Sequence, residues 1–473
     1  MTIVYVLLSI ITLITLRFVM RWSILYPETL WDWSKEDVQS IYTADWPEDF
    51  LWGSATAAFQ VEGHNKPSNW TMWENSTDDQ GNPRIHKGQK AGDACDHFHR
   101  YRDDMRIAAQ DLGINSYRFS IAWSRIEPKP GEYDQEAIQH YSDLIDACLE
   151  NGIKPMVTLH HFSHPLWFEE IGSFEKEENI EHFLRFAETM FTAYSDRVEY
   201  WCTHNECGPF ATMGWGLGVF PPGKNSLEKV GTVLLNLVKS HTRVYKKLKS
   251  LPNGDKAQIG LVKNIFQFDP WSRWNPIHWV ICRFIDEVYN ESLIRAIRDG
   301  VFEIKWRPFI NMRVDVSESE GATDFIGLNY YSNLLINIRR GIEASSGPPF
   351  KGWGRKGQVM TDFPYTTYPE GFYRAIQRIS SLEKPIIITE NGIPDNLDDR
   401  RQDWIERYLY AMKKAMSEGI DVRGYQYWSL LDNFEWAEGY DMRFGLYAVD
   451  FETQERTLRD GAKAYAKIVT RQS

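Results

Sequence analysis

The chain has 473 residues, 43% of them hydrophobic and 25% charged, which supplies a sizeable core and excludes whole-chain disorder. Its net charge is −12, from 53 basic against 65 acidic residues, and no basic cluster runs through it, so no nucleic-acid partner is expected. Aromatics reach 14%, with 19 Trp, a surplus that fits either a large aromatic core or stacking on the C–H faces of sugar rings.

The N-terminus differs in kind from the rest. From Thr2 to Leu16 every residue is apolar or small and hydroxylic, and Arg17, Phe18 to Met20 and Arg21 follow. A membrane span needs about 17–25 residues, so this run reaches that length only if Arg17 snorkels and residues 18–20 are included. The charges lie after the run, and no A-x-A cleavage site follows, which favours an uncleaved anchor over a signal peptide. Residues 1–22 are therefore expected to be a membrane anchor or signal segment, with residues 2–20 meeting lipid. Arg17 and Arg21 then place the main domain on the cytoplasmic side. Secretion, or an apolar arm buried in the protein, are the alternatives. Residues 23–45 read as an irregular connector, and 46–473 as one domain.

From Pro47 onward, β-like runs alternate with helical stretches, the pattern of a parallel α/β fold. Strands are predicted at 50–60, 115–123, 154–161, 198–206, 258–264, 324–331, 385–392 and 422–432. Eight strands in this alternation point to a closed (β/α)8 TIM barrel, a fold that accommodates this length when its loops are long. A helix is predicted from Asp134 to Glu150, with Ile138, Tyr141, Leu144, Ile145 and Cys148 forming its buried stripe. Another is predicted from Trp404 to Met416. Long excursions at 61–94, 265–284 and 332–369 follow the first, fifth and sixth strands, on the face where a barrel builds its site. The cysteines (Cys95, Cys148, Cys202, Cys207 and Cys282) are odd in number and scattered, which predicts mostly buried thiols.

Two carboxylates end predicted strands: Glu206 in Thr203-His204-Asn205-Glu206, and Glu390 in Thr389-Glu390-Asn391-Gly392. A Glu closing a buried run such as IIIT is costly unless it serves a purpose. Glycoside hydrolysis needs one carboxylic acid to protonate the leaving oxygen and a second carboxylate to attack carbon or activate water. Strands four and seven lie nearly opposite in an eight-stranded barrel, so both could face one sugar. Taken singly, each Glu could equally cap a helix or pair with an Arg.

The chain resembles family 1 of the glycoside hydrolases, the β-glucosidase family, from about Trp46 to near the C-terminus. The matching segments are FLWGSATAAFQVEG at 50–63, YRFSIAWSRI at 117–126, TLHH at 158–161, the Asn205-Glu206 pair, FIGLNYY at 325–331, ITENG at 388–392 and YWSLLDNFEWAEGY at 427–440. The resemblance implies a retaining β-glycosidase on a β/α barrel, acting on a terminal β-glycoside without a cofactor. It further implies Glu206 as acid/base and Glu390 as nucleophile, with Arg118 and Tyr331 orienting Glu390. Asn205 is implied to bind the sugar 2-hydroxyl, and Gln60, His161, Asn329, Trp428, Glu435 and Trp436 to complete the sugar pocket. In that pocket Trp428 is the stacking floor, and a carboxylate at Glu435 disfavours a 6-phosphorylated sugar.

The chain departs from the family at Cys207, where Pro usually follows the acid/base, at Phe162, where Trp is common, and in its apolar N-terminus. Other readings were open. His160, His161 and His164 could form a metal cluster, although no nearby carboxylate or Cys completes a ligand set. A non-catalytic receptor for sugar or lipid would be expected to lose a catalytic Glu, and both are present. A transglycosylase or glycolipid glycosidase remains compatible with the apolar anchor. The sequons at Asn69, Asn75 and Asn290 carry no weight by themselves.

Overall fold

The computed structural model describes residues 2–338, 358–363 and 365–472. Eight parallel strands close into a barrel: β1 (Leu51–Ala55), β2 (Ser116–Ser120), β3 (Lys154–His160), β4 (Tyr200–Asn205), β5 (Gln258–Asn264), β6 (Phe325–Asn329), β7 (Ile386–Asn391) and β8 (Val422–Trp428). Each pairs with its neighbours in sequence, and β1 closes on β8 with Leu51 opposite Gly424 and Ala55 opposite Trp428. All eight predicted strands are therefore barrel strands, and the fold is the (β/α)8 TIM barrel.

Several strands end earlier than predicted. β1 stops at Ala55, because the chain then turns into a short helix, Ala58–Val61, whose Ala58 N–H donates to Ser120 Oγ (2.8 Å). β8 stops at Trp428, whereas strand character was expected to Asp432. The residues beyond both ends remain buried, so their apolar character reflects burial at the barrel rim and not pairing.

The barrel interior is layered. Leu51, Met156, Cys202, Val262, Phe325 and Ile387 form an apolar plug. Gly260 makes room for it: a Cβ there would lie 2.5 Å from the Phe325 ring. Outside the strands, the crossover helices bury one face each. The helix Gln135–Glu150 is capped by Asp134, whose carboxylate accepts from the N–H groups of Glu136 (2.9 Å) and Ala137 (3.1 Å). Tyr141, Leu144, Ile145 and Cys148 of its predicted stripe are buried, and Ile138 is half-buried. The second predicted helix runs from Arg401 to Ser417. All five cysteines are buried free thiols.

The excursions carry structure of their own. Gln267–Pro270 pairs in parallel with Asn333–Ile336, which joins the segments that follow β5 and β6. An antiparallel hairpin, Val301–Trp306 with Ile310–Asp315, was not predicted. Residues 339–357 and 364 of the third excursion lie outside the described residues. At the N-terminus a helix spans Thr2–Leu25, three residues beyond the expected segment. The connector that follows is held against the barrel helices: Trp31 N–H and Trp33 Nε1 both donate to Glu370 Oε1 (3.0 and 2.9 Å). The Asn69 and Asn290 side chains are buried, with Asn69 Nδ2 donating to the Phe162 carbonyl (2.9 Å).

Candidate active site

Glu390 lies on β7 with 3% of its surface exposed. Its Oε1 accepts from Arg118 Nη1 (2.7 Å) and its Oε2 from the Tyr331 hydroxyl (2.7 Å). Arg118 comes from β2, fully buried, and its other nitrogens are fixed by Thr158 Oγ1 (3.0 Å) and Asn205 Oδ1 (2.7 Å). Tyr331 stands just beyond β6. Two aimed donors, one of them cationic, thus meet one carboxylate.

Glu206 follows β4 in a left-handed turn (φ 49°) that swings its side chain into the barrel mouth. The turn is pinned by the Glu206 N–H to the Val262 carbonyl (3.1 Å) and the Phe210 N–H to the Glu206 carbonyl (3.1 Å). Cys207 packs as a buried thiol at the start of the helix Cys207–Ala211. Among the described residues the Glu206 carboxylate accepts only from amide donors, Asn264 Nδ2 (2.8 Å) and Asn329 Nδ2 (2.9 Å), both on Oε1.

These surroundings separate the two acids. Burial first, and then the charge of Glu390, push Glu206 up to about 8. Burial also raises Glu390, but Arg118 and Tyr331 pull against it. When the pair holds one proton, it therefore rests on Glu206.

The remaining predicted residues assemble around them. Asn205 Oδ1 accepts from Arg118 and from Asn329 Nδ2 (3.1 Å), which leaves its Nδ2 to donate to His161 Nε2 (3.0 Å). Burial, and next the Arg118 charge, hold His161 well below the usual imidazole range, so it is neutral with its proton on Nδ1. Gln60 Nε2 donates to Asn433 Oδ1 (2.9 Å), the Phe434 carbonyl (2.9 Å) and Glu435 Oε2 (3.1 Å). Among the described residues, the buried atoms His161 Nδ1 and Gln60 Oε1 have no hydrogen-bond partner, one a donor and one an acceptor. Burial is the main cause that pushes Glu435 up to about 8. Trp428 and Trp436 lie 5.8 and 6.0 Å from the His161 ring, and Trp436 stacks on Phe59 at 5.9 Å. Phe162, which follows the pocket His161, packs on Trp436 (5.2 Å) and Phe210 (6.3 Å).

A cavity of about 850 Å³ opens over this group, lined by His161, Glu206, Tyr331, Glu390, Trp428, Glu435 and Trp436. Gln60, Arg118, Asn205 and Asn329 are fully buried around it. The His160 and His164 rings turn elsewhere: His160 Nε2 lies 3.3 Å from His164 Nδ1, and His164 Nε2 lies 2.7 Å from Glu169.

Three residues that the motifs did not indicate belong to the site's support. Asn264 holds Glu206, and the Tyr289 hydroxyl donates to Asn264 Oδ1 (2.7 Å), which fixes the amide's orientation. Lys263 is buried nearby, donating to Asn290 Oδ1 (3.0 Å), and burial brings its amine down to about 7. Asn264 and Lys263 close the QIGLVKN run, and a polar pair ending a buried strand was the one local signal available.

A closed barrel with two buried, unequally tuned carboxyls at its mouth and sugar-sized polar contacts beside them defines an O-glycosyl hydrolase. A sequence model of glycosyl hydrolase family 1 matches residues 42–473, and the chain belongs to that family. Solved structures agree. A psychrophilic β-glucosidase from Micrococcus antarcticus is 30% identical (TM-score 0.81), covering 92% of this chain and 99% of its own. A β-glycosidase from Pyrococcus horikoshii is 34% identical (TM-score 0.78), with 90% and 95% covered. The family 1 β-glucosidase from Thermotoga maritima is 31% identical (TM-score 0.80), with 90% and 99% covered.

Proposed function

We propose that this protein hydrolyses terminal, unphosphorylated β-D-glycosides with retention of configuration. Glu390, held as the anion by Arg118 and Tyr331, attacks the anomeric carbon to form a glycosyl ester. Glu206, protonated at rest, donates to the departing oxygen. Once Glu390 is esterified its charge is gone, so Glu206 ionises more readily and takes a proton from the attacking water. Asn205 serves the sugar 2-hydroxyl by sharing an amide already committed to Arg118 and His161. His161 Nδ1 donates to, and Gln60 Oε1 accepts from, the hydroxyls farther round the ring, with Trp428 beneath. Glu435 repels a phosphate at the sugar 6-position whenever it is ionised.

The observation that carries this reading is the asymmetry of donors: a guanidinium and a phenol on Glu390, two neutral amides on Glu206. Turnover of an aryl β-glucoside and an aryl β-galactoside by wild type, Glu390→Gln and Glu206→Ala tests it. Glu390→Gln is expected to lose nearly all activity. Glu206→Ala is expected to lose about 10²- to 10⁴-fold and to recover with azide, yielding the β-glycosyl azide. Full activity in Glu390→Gln, or an α-azide, would overturn it.

The N-terminal helix supports association with a membrane, and Arg17 and Arg21 after its apolar run favour the barrel on the cytoplasmic side. Its segment Val4–Leu25 is 22 residues long with mean hydropathy 1.9, and the rest of the protein covers little of it. A signal sequence has a similar apolar run, and on that reading the protein is secreted.

A further inference from the structure

The cavity holding Glu206 and Glu390 also has an extensive apolar lining. It includes Leu217, Phe268, Ile281, Phe284, Ile285 and Leu334. Three of these sit on one helix, Pro276–Asp286, in the excursion after β5.

That helix carries one continuous apolar face, with Ile277, Val280, Ile281, Phe284 and Ile285 at helical spacing, and its opposite face carries Trp279 and Arg283. Ile281, Phe284 and Ile285 line the cavity. Trp279 and Arg283 receive the N-terminal helix: the Trp279 ring lies 6.5 Å from Tyr26, and the Arg283 guanidinium lies 3.7 Å from the Tyr26 ring and 5.5 Å from Trp22. Arg273, just upstream, donates to the carbonyls of Ser23 (3.1 Å) and Tyr26 (2.6 Å). At the N-terminal end of the same face as Ile281 and Phe284, Ile277 and Val280 are 56% and 41% exposed, and Trp274, just upstream of the helix, is exposed too. Ile24 and Leu25, at the docked end of the N-terminal helix, are exposed as well. A helix long enough to enter a bilayer therefore docks on the same short helix whose other side walls the active-site cavity.

We infer that the natural aglycone is the alkyl portion of a membrane glycolipid. Its chain runs from the glycosidic oxygen along the apolar lining of the cavity, and the helix Pro276–Asp286 sits between that cavity and the bilayer. This rests on the β-glycosidase reading and names its substrate class. An oligosaccharide aglycone needs hydrogen-bonding partners at each ring, and this wall has few to offer. In the reaction the C1–O bond breaks, the lipid alcohol leaves with the Glu206 proton, and water later releases the sugar from Glu390.

The test uses full-length protein in phosphatidylcholine vesicles with butyl, hexyl and octyl β-glucosides below their micelle concentrations. Cellobiose and 4-nitrophenyl β-glucoside are run alongside. kcat/KM is expected to rise roughly two- to fourfold per added methylene, and octyl glucoside to exceed cellobiose. In Ile281→Asp/Ile285→Asp the octyl-to-butyl ratio collapses towards one. Leu217→Asp, at a 56% exposed position that tolerates charge, lowers the same ratio should the double variant fail to fold. Turnover of the nitrophenyl glucoside with a flat chain-length profile overturns the inference. So does a ratio that both variants leave intact, because the trend then comes from partition into vesicles, and so does a preference for cellobiose. Loss of nitrophenyl glucoside turnover in wild type would instead overturn the glycosidase reading beneath it.

Discussion

At Glu206 and Glu390 similar burial acts on two carboxyls with different neighbours, and the neighbours decide which is acid and which is anion. Glu206 stands at about 8, above its usual range, so its acid form persists through neutral pH and is lost as pH rises through that value. The kcat/KM profile of the free enzyme is therefore expected to fall on its alkaline side near pH 8. Asn264 donates to the carboxylate and so favours ionisation. Asn264→Ala removes a hydrogen bond to a charged group, and the alkaline limb should move up by about one unit. A limb that stays put or moves down would contradict the role given to Asn264. The proposed catalytic pair was legible in the sequence because its motifs are contiguous: Asn205-Glu206 and Thr389-Glu390 stand at the ends of predicted strands. Tyr289, which orients Asn264, was not. It lies in the turn Glu287–Glu291, remote in sequence, and only docking of that turn on β5 brings the two together.

Barrel strands and loop ends obey different constraints, and the β7–β8 pair shows both. Gly392 follows β7, and a Cβ there would lie 1.6 Å from the Trp428 carbonyl oxygen at the end of β8. The obstruction is backbone, so no side-chain rotation relieves it. The glycine of the ITENG segment is thus the condition for placing Trp428 beside Glu390. Gly392→Ala is expected to cost at least about 3 kcal/mol, at the upper end of the usual cost of overpacking, and to displace Trp428. Thermal unfolding and glucoside KM measure both effects, and wild-type values for each would contradict this packing. Strand existence was legible because buried parallel strands are continuous apolar runs. Strand ends were not, because Gln60 and the residues after Trp428 stay buried, and Tyr331 half-buried, around the cavity once pairing has stopped. The pairing of Gln267–Pro270 with Asn333–Ile336 had no local sign, since neither segment specifies its partner.

Across the whole molecule, one barrel brings residues from the strands β2 to β8 and from the segments after β1 and β8 around a single cavity. The apolar plug below holds those ends in register, and the helix Pro276–Asp286 joins the cavity wall to the N-terminal helix. The apolar character of residues 2–20 was plain in the sequence, whereas its docking through Trp22 and Tyr26 onto Trp279 and Arg283 was not, because those contacts join segments some 250 residues apart. The proposed mechanism stands or falls on a covalent bond at Glu390. Incubation with a 2-deoxy-2-fluoro-β-glucosyl fluoride slows both steps, and a good leaving group lets the ester accumulate. Mass spectrometry of the digested protein is then expected to find one fluoroglucosyl group on the peptide containing Glu390, and none in Glu390→Gln. A label on another residue, or an unlabelled protein that still turns over aryl β-glucosides, would contradict it.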